Sequence, residues 1–201
     1  MRYVSIDIET TGIDPKKDQI LSIGAIIEDT ETKLEFEDLP KFHVALLHEK
    51  IIGSHFAINM NKDLIANINN YLIGDMRHRE ILIEDTGMEY RIPSEAVRLL
   101  HLFLIDNGIG EQTDRCITVN VAGKNFGTFD KLFLERLPNF KKNIKFRNRI
   151  IDPSILFVEW EHDKTLPSLN DCKVRAGLSG EVTHNALEDA WDVIQVLRKK
   201  Y

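Results

Sequence analysis

Cysteine, proline and glycine are all scarce in this 201-residue chain, at 2, 6 and 11 residues. Two cysteines, Cys116 and Cys172, are too few to staple a fold of this size and carry no metal-site spacing. That excludes a disulfide scaffold and points to a reducing, cytoplasmic setting. So little proline and glycine excludes a collagen-like or linker-rich chain. Long hydrophobic runs are missing too: residues 99–105 and the stretch around 23–27 are the longest. Both fall far short of the ~20 residues that span a bilayer, so no membrane role is expected. Arg2 and Asp7 interrupt the N-terminal stretch, which argues against a secretory signal. Positive charge is not in excess either. Lys and Arg number 26 against 32 Asp and Glu, a net charge of −6. That excludes a basic protein wrapping a long phosphate tract, but not an enzyme that grips only a strand end.

What is present is an ordinary globular balance of 43% hydrophobic and 29% charged residues. No linker or repeat divides the chain, so residues 1–201 read as one domain. Residues 3–8 alternate as a strand, and Thr10-Thr11-Gly12 with Asp14-Pro15 forms a turn. Residues 19–27, 34–36 and 42–46 read as further strands, giving an antiparallel meander. Residues 61–72 place Leu64, Ile65, Ile68 and Leu72 on one helical face, with Asn61 as N-cap. The charged segment 74–92 reads as irregular, with a small hairpin formed by 81–83 and 90–92. Ser94 is the expected cap of a helix running to Asn107 and stopped by Gly108. A strand at 117–121, a helix at 129–137, an extended piece at 150–151 and a helix at 185–200 complete the pattern. The expected fold is α/β: a central mixed sheet, antiparallel meander plus parallel strands, flanked by helices.

Three places carry chemistry. Asp7 and Glu9 sit two apart on the first strand, so both carboxylates leave the same face. Burying two unpaired acids there costs several kcal/mol each, on the order of the desolvation of an ion, and a divalent cation offsets it. The plainer reading is that they lie at the solvated end of the strand. Asp130 falls in the first turn of a helix, where the helix dipole alone favours an acid. His184 precedes Asp189 by five residues, and Asn185 with Glu188 has capping-box spacing at the start of the last helix. A lone histidine there is ordinarily a surface or packing residue.

Taken together the three segments resemble a known family. Asp7-Ile8-Glu9-Thr10-Thr11-Gly12 resembles the first motif of the DEDDh (DnaQ-like) 3′→5′ exonucleases of the ribonuclease H-like superfamily. The segment from Asn125 and Phe126 through Phe129-Asp130 to Leu134 is similar to the second, with one residue more after Asn125 than the family pattern has. His184-x₄-Asp189 matches the third. The resemblance implies that Asp7, Glu9, Asp130 and Asp189 hold two divalent cations, Mg²⁺ or Mn²⁺, and that His184 takes the proton of the attacking water. It implies release of nucleoside 5′-monophosphates from the 3′ end of single-stranded nucleic acid. DNA is slightly favoured over RNA, in proofreading or processing, with a polymerase or another replication or repair protein as the class of partner.

Substrate contacts implied on the same footing are Thr10, Thr11, Gly12, Met60, Asn61, Asn125 and Phe126, with Phe129 read as core. Lys141, Lys142, Lys145, Arg147 and Arg149, and likewise Lys173 and Arg175, read either as guides for the phosphate backbone or as solvated charge. Asp152 reads as structural or as a support behind the ligands, not as a ligand itself. Three alternatives stand beside this reading: trimming of RNA or oligoribonucleotides, a non-catalytic binding module that keeps the fold, and a phosphoesterase acting on small nucleotides. Oligomeric state and the role of 74–92 are not legible.

Overall fold

The computed structural model describes residues 1–113, 116–179 and 183–201. The chain opens with an antiparallel meander, β1 (Arg2–Thr10), β2 (Ile20–Asp29) and β3 (Lys41–Leu46). β2 is apolar along nearly its whole length because both its faces are covered, as expected of a central strand. Three helices follow: α1 (His55–Met60), α2 (Lys62–Ile73) and α3 (Met76–Thr86). Strand β4 (Glu89–Arg91) then pairs parallel to β3, and α4 (Pro93–Asp106) buries Ala96, Val97, Leu100 and Leu104.

The chain next forms β5 (Glu111–Thr113), β6 (Cys116–Val119) and β7 (Val121–Ala122), then α5 (Asp130–Leu134) and α6 (Phe140–Asn143). Last come β8 (Ile144–Phe146), α7 (Leu169–Arg175) and α8 (Ala186–Arg198). The main sheet has the order β4-β3-β2-β1-β7, with β7 parallel to β1; a smaller sheet has the order β5-β6-β8. Even-numbered residues of β1 (Val4, Ile6, Ile8) join the core beneath α4. Odd-numbered ones face α8, where Tyr3 packs with Ala190, Val193, Ile194 and Leu197. The main mixed sheet flanked by helices is the architecture the sequence led one to expect.

Four local expectations are corrected. Residues 34–36 add no strand; the segment turns through a short 3₁₀ helix, Phe36–Asp38, and Phe36 packs on Trp191. The hairpin expected within 74–92 is instead α3 followed by β4. Asp75 caps the helix by accepting from the His78 N–H, and Gly87 (φ +62°) ends it in the left-handed conformation. The cap of α4 is Ile92 with Pro93 in the first turn, so Ser94 lies inside the helix. The strand expected at 117–121 breaks at Asn120, after which the chain passes from the smaller sheet to the main one. Among the described residues both cysteines are free, and no helix is long and apolar enough to cross a membrane.

Candidate active site

The site lies at the C-terminal end of β1, on the face that carries α8. In the β1–β2 pairing Asp7 stands opposite Gly24 and Glu9 opposite Ser22, and the register shifts immediately after Glu9. Gly24 is required by a close approach: a Cβ there would lie 2.3 Å from the backbone of Ala186 and Leu187. The first turn of α8 thus rests on β2 beside the two carboxylates. Asn185 caps that turn, its Oδ1 accepting from the N–H groups of Leu187 (3.0 Å) and Glu188 (3.3 Å). One turn in, Asp189 is buried; from the other side α5 packs on β1 and contributes buried Asp130 as its first residue.

Ligand atoms of Glu9, His184 and Asp189 all lie within 4.8 Å of one another. His184 is exposed and holds φ +54°, a left-handed conformation that costs a non-glycine residue about 1 kcal/mol and turns the chain just ahead of the Asn185 cap. Burial dominates the protonation of the acids. It pushes Glu9 to about 7, with the charge of Asp189 adding to the rise and the Asn61 amide opposing it. It pushes Asp130 to about 8, against the backbone N–H groups of Asp130 and Ile8. Asp189 rises to about 7, with Asp192 adding and Lys173 opposing. Asp7 is driven well above the carboxylate range by burial and then by the charges of Asp130, Asp189 and Glu9. The sequence spacing alone left open whether these acids were solvated; the structure buries Glu9, Asp130 and Asp189, half-buries Asp7, and sets Asp7 within reach of the charges of the other three.

That arrangement fits a divalent cation. The Asp189 Oδ1 atom is buried with no hydrogen-bond partner among the described residues, an acceptor left for a ligand to satisfy. Carboxylate oxygens are the donors that hard cations such as Mg²⁺ and Mn²⁺ take.

Comparison with known proteins agrees with this geometry. The ribonuclease T-type family model, described as exonuclease, matches residues 4–71, which include Asp7 and Glu9. The match covers about a third of the chain, the part that carries the first of the three motifs. A DNA polymerase III of the PolC type from Thermotoga petrophila is 29% identical over 92 residues, 44% of this chain and 7% of that protein. A probable oligoribonuclease of Dictyostelium discoideum is 26% identical over 155 residues, 77% of this chain and 69% of that protein. Two solved structures share the fold. The nuclease domain of 3′hExo, a DEDDh family member bound to rAMP, superposes with TM-score 0.62 at 14% identity over 98% of this chain and 90% of that chain. Cell-death related nuclease 4 gives TM-score 0.60 at 12% identity, covering 98% and 62% of the two chains.

The other expected contacts divide. Thr10, Gly12 and Met60 line a cavity of about 400 Å³ on one side of Glu9, with Ile13, Phe56 and Phe129. Phe129, read from sequence as core, therefore touches both the core and this cavity. Thr11 is not brought to the site: its N–H donates to the Gln19 carbonyl, its carbonyl accepts from Ser54, and its hydroxyl donates to Ile52. Phe126 is not either. It is 0% exposed and packs edge-on against Phe146 in the core. Asn61 is buried, and its amide donates to the carbonyls of Thr10 and Ala57 (both 3.2 Å), which makes it a support for the Glu9 turn.

Asn125 is exposed with φ +57°, a turn in which the additional residue of its motif is accommodated; its N–H donates to Asp152. Asp152 also accepts from the Ser154 N–H (2.9 Å). Lys173 and Arg175 do not face a strand path: Lys173 is buried against Asp192 (2.5 Å), and Arg175 binds Asp163 and Glu159. Lys145, Arg147 and Arg149 line a cavity with Thr118 and Asn120, and the Asn120 carbonyl accepts from Val4. That places this basic stretch near the start of β1, at the opposite end from Asp7 and Glu9.

Sequence reading missed Gly24, Ser22 and His43. No motif marks them, because their importance comes from cross-strand neighbours. A cavity of about 680 Å³ along α2 and α3 contains none of the five motif residues.

Proposed function

We propose that this protein is a 3′→5′ exonuclease of the DEDDh (DnaQ-like) type, which hydrolyses the last phosphodiester bond of a single-stranded nucleic acid and releases a nucleoside 5′-monophosphate. The convergence of Glu9, His184 and Asp189 within 4.8 Å, with half-buried Asp7 and buried Asp130 beside them, carries the reading. Asp7, Glu9, Asp130 and Asp189 are the residues to hold two divalent cations, Mg²⁺ or Mn²⁺. Bound there, the cations would neutralise the carboxylates, activate water and stabilise charge at phosphorus. His184, exposed and close to Glu9, accepts the proton as the water oxygen bonds to phosphorus and the bond to the 3′ oxygen of the preceding nucleotide breaks. Asn61 keeps the Glu9 turn in place. The cavity of Thr10, Gly12, Phe56 and Met60 receives the end of the strand.

We read residues 1–201 as one exonuclease domain acting in the cytoplasm. DNA is the substrate favoured from sequence, and the alignment with a PolC-type polymerase supports both DNA and a polymerase as the class of partner. The probable oligoribonuclease, aligned over 77% of the chain, favours a second reading, trimming of short RNA.

The test is a product ladder from 5′-labelled single-stranded DNA and matched RNA, with Mg²⁺, Mn²⁺ or EDTA and an Asp7→Ala control. Metal-dependent shortening from the 3′ end is expected, and the relative rates rank the two sugars. No shortening of either strand by folded protein with metal present overturns the proposal.

A further inference from the structure

On the side of Glu9 away from Phe129 lies a second cavity, of about 290 Å³, close to the lower end of ligand pockets (~300 Å³). Its floor is made by the sheet. Asp7, Gly24 and His43 form one cross-strand row, and Glu9, Ser22 and Ala45 the next. With strands about 4.8 Å apart, His43 stands roughly 10 Å from Asp7 across the sheet. α8 covers Gly24 but leaves Ser22 and His43 facing the cavity, while Met60, Leu64 and Asn67 wall it and Glu9 with His184 opens it to the catalytic cluster.

The polar side chains here lack partners. Ser22 is only 1% exposed, yet neither its hydroxyl nor the His43 ring nor the Asn67 amide makes a hydrogen bond among the described residues. Burial pushes His43 down to about 4, so near neutral pH the ring offers one donor and one acceptor. Ser22 is buried and His43 and Asn67 are half-buried; a buried hydroxyl is ordinarily satisfied, and an unmatched one flanked by two open polar side chains points to a ligand. Among the described residues no Lys or Arg lines the cavity, and Glu9 and Asp63 do, which disfavours a phosphate. The complement is uncharged, flat and rich in donors and acceptors, with Met60, Leu64 and Met88 as apolar contacts.

We propose that this cavity reads a nucleobase of the 3′-terminal dinucleotide, with Ser22, His43 and Asn67 on its hydrogen-bonding edge and Met60, Leu64 and Met88 against its faces. The proposal rests on the exonuclease reading for its substrate. It makes the enzyme discriminate among bases at the 3′ end, which a purely apolar site does only weakly.

The test titrates metal-free protein with adenosine, guanosine, cytidine and uridine while the ring nitrogens of ¹⁵N-labelled His43 are followed by NMR, assigned through His43→Phe. The same four bases are then varied at each of the last two positions of a substrate, and kcat/KM is compared. The expected result is a shift of the His43 signals by at least one nucleoside, a spread of about tenfold in kcat/KM, and collapse of that spread in His43→Phe and in the milder Ser22→Ala. Silent His43 signals, or a base preference unchanged in both variants, overturn the subsite. Nucleoside binding through His43 without degradation of any strand supports the subsite and overturns the exonuclease reading; degradation at equal rates for all bases with silent His43 does the reverse.

Discussion

Gly24 stands directly across from Asp7 in the β1–β2 pairing, and its missing side chain is the space into which the backbone of Ala186 settles. One residue without a Cβ therefore decides how closely the third motif approaches the first. Asp189 reaches the carboxylates because α8 starts on that glycine.

Gly24→Ala is accordingly expected to destabilise the protein by about 3 kcal/mol, the upper part of the range for overpacking, and to abolish turnover in whatever fraction remains folded. Urea denaturation and single-turnover rates check this. A variant as stable and active as the parent removes the close approach from the account.

His184→Ala should slow turnover by about 10²–10⁴-fold, the usual contribution of a positioned base. Its nearness to Glu9 and Asp189 makes a second role as ligand the competing explanation. Calorimetric Mn²⁺ titration separates them: affinity close to the parent's supports the base, and affinity lost in step with the rate makes His184 a ligand. Because His184 holds φ +54°, His184→Gly should be at least as stable as His184→Ala.

In metal-free protein Glu9, Asp130 and Asp189 hold protons up to about 7, 8 and 7 respectively. Carboxyls of the unfolded chain release theirs near ~4. Between these limits the native state binds more protons than the unfolded one. The stability these groups contribute is therefore full below pH ~4 and lost as pH rises through 7 to 8. Thermal melts in EDTA should show a higher Tm at pH 5.5 than at pH 8, Mg²⁺ should recover the loss at pH 8, and Asp189→Asn should flatten the slope. An EDTA-treated parent whose Tm difference matches that of Asp189→Asn contradicts this.

Lys173 and Asp192 form a buried ion pair one turn beyond Asp189. Lys173→Met leaves the Asp192 charge buried and should cost about 3–5 kcal/mol, whereas Lys173→Met with Asp192→Leu should recover most of it. Chemical denaturation of the two variants decides; equal losses in both mean that packing rather than charge holds this corner.

The five motif residues were legible in the sequence because spacing along one strand or at one helix start is a local property. Asp7 and Glu9 share a face through the two-residue period of β1, and His184 lies just ahead of the Asn185 cap. The same holds for the meander and for α8, whose apolar stripe is strong. Residues 81–92 misled because three consecutive apolar residues, 81–83, fit a short strand as well as a helix turn, and only packing beside α2 made them α3. Thr11 and Phe126 sit inside recognisable motifs, yet the fold spends Thr11 on holding the turn and Phe126 on the core. Spacing cannot tell a side chain that faces substrate from one that faces inward, since that depends on which surfaces later parts of the chain cover. The sequence by itself determined the five motif residues and their order on strand and helix. Tertiary structure alone decided that Glu9, His184 and Asp189 converge, that Gly24 admits α8, and that Ser22 and His43, twenty-one residues apart in the chain, share the floor of one cavity, because contacts between distant segments are fixed only when the sheet closes beneath the helix.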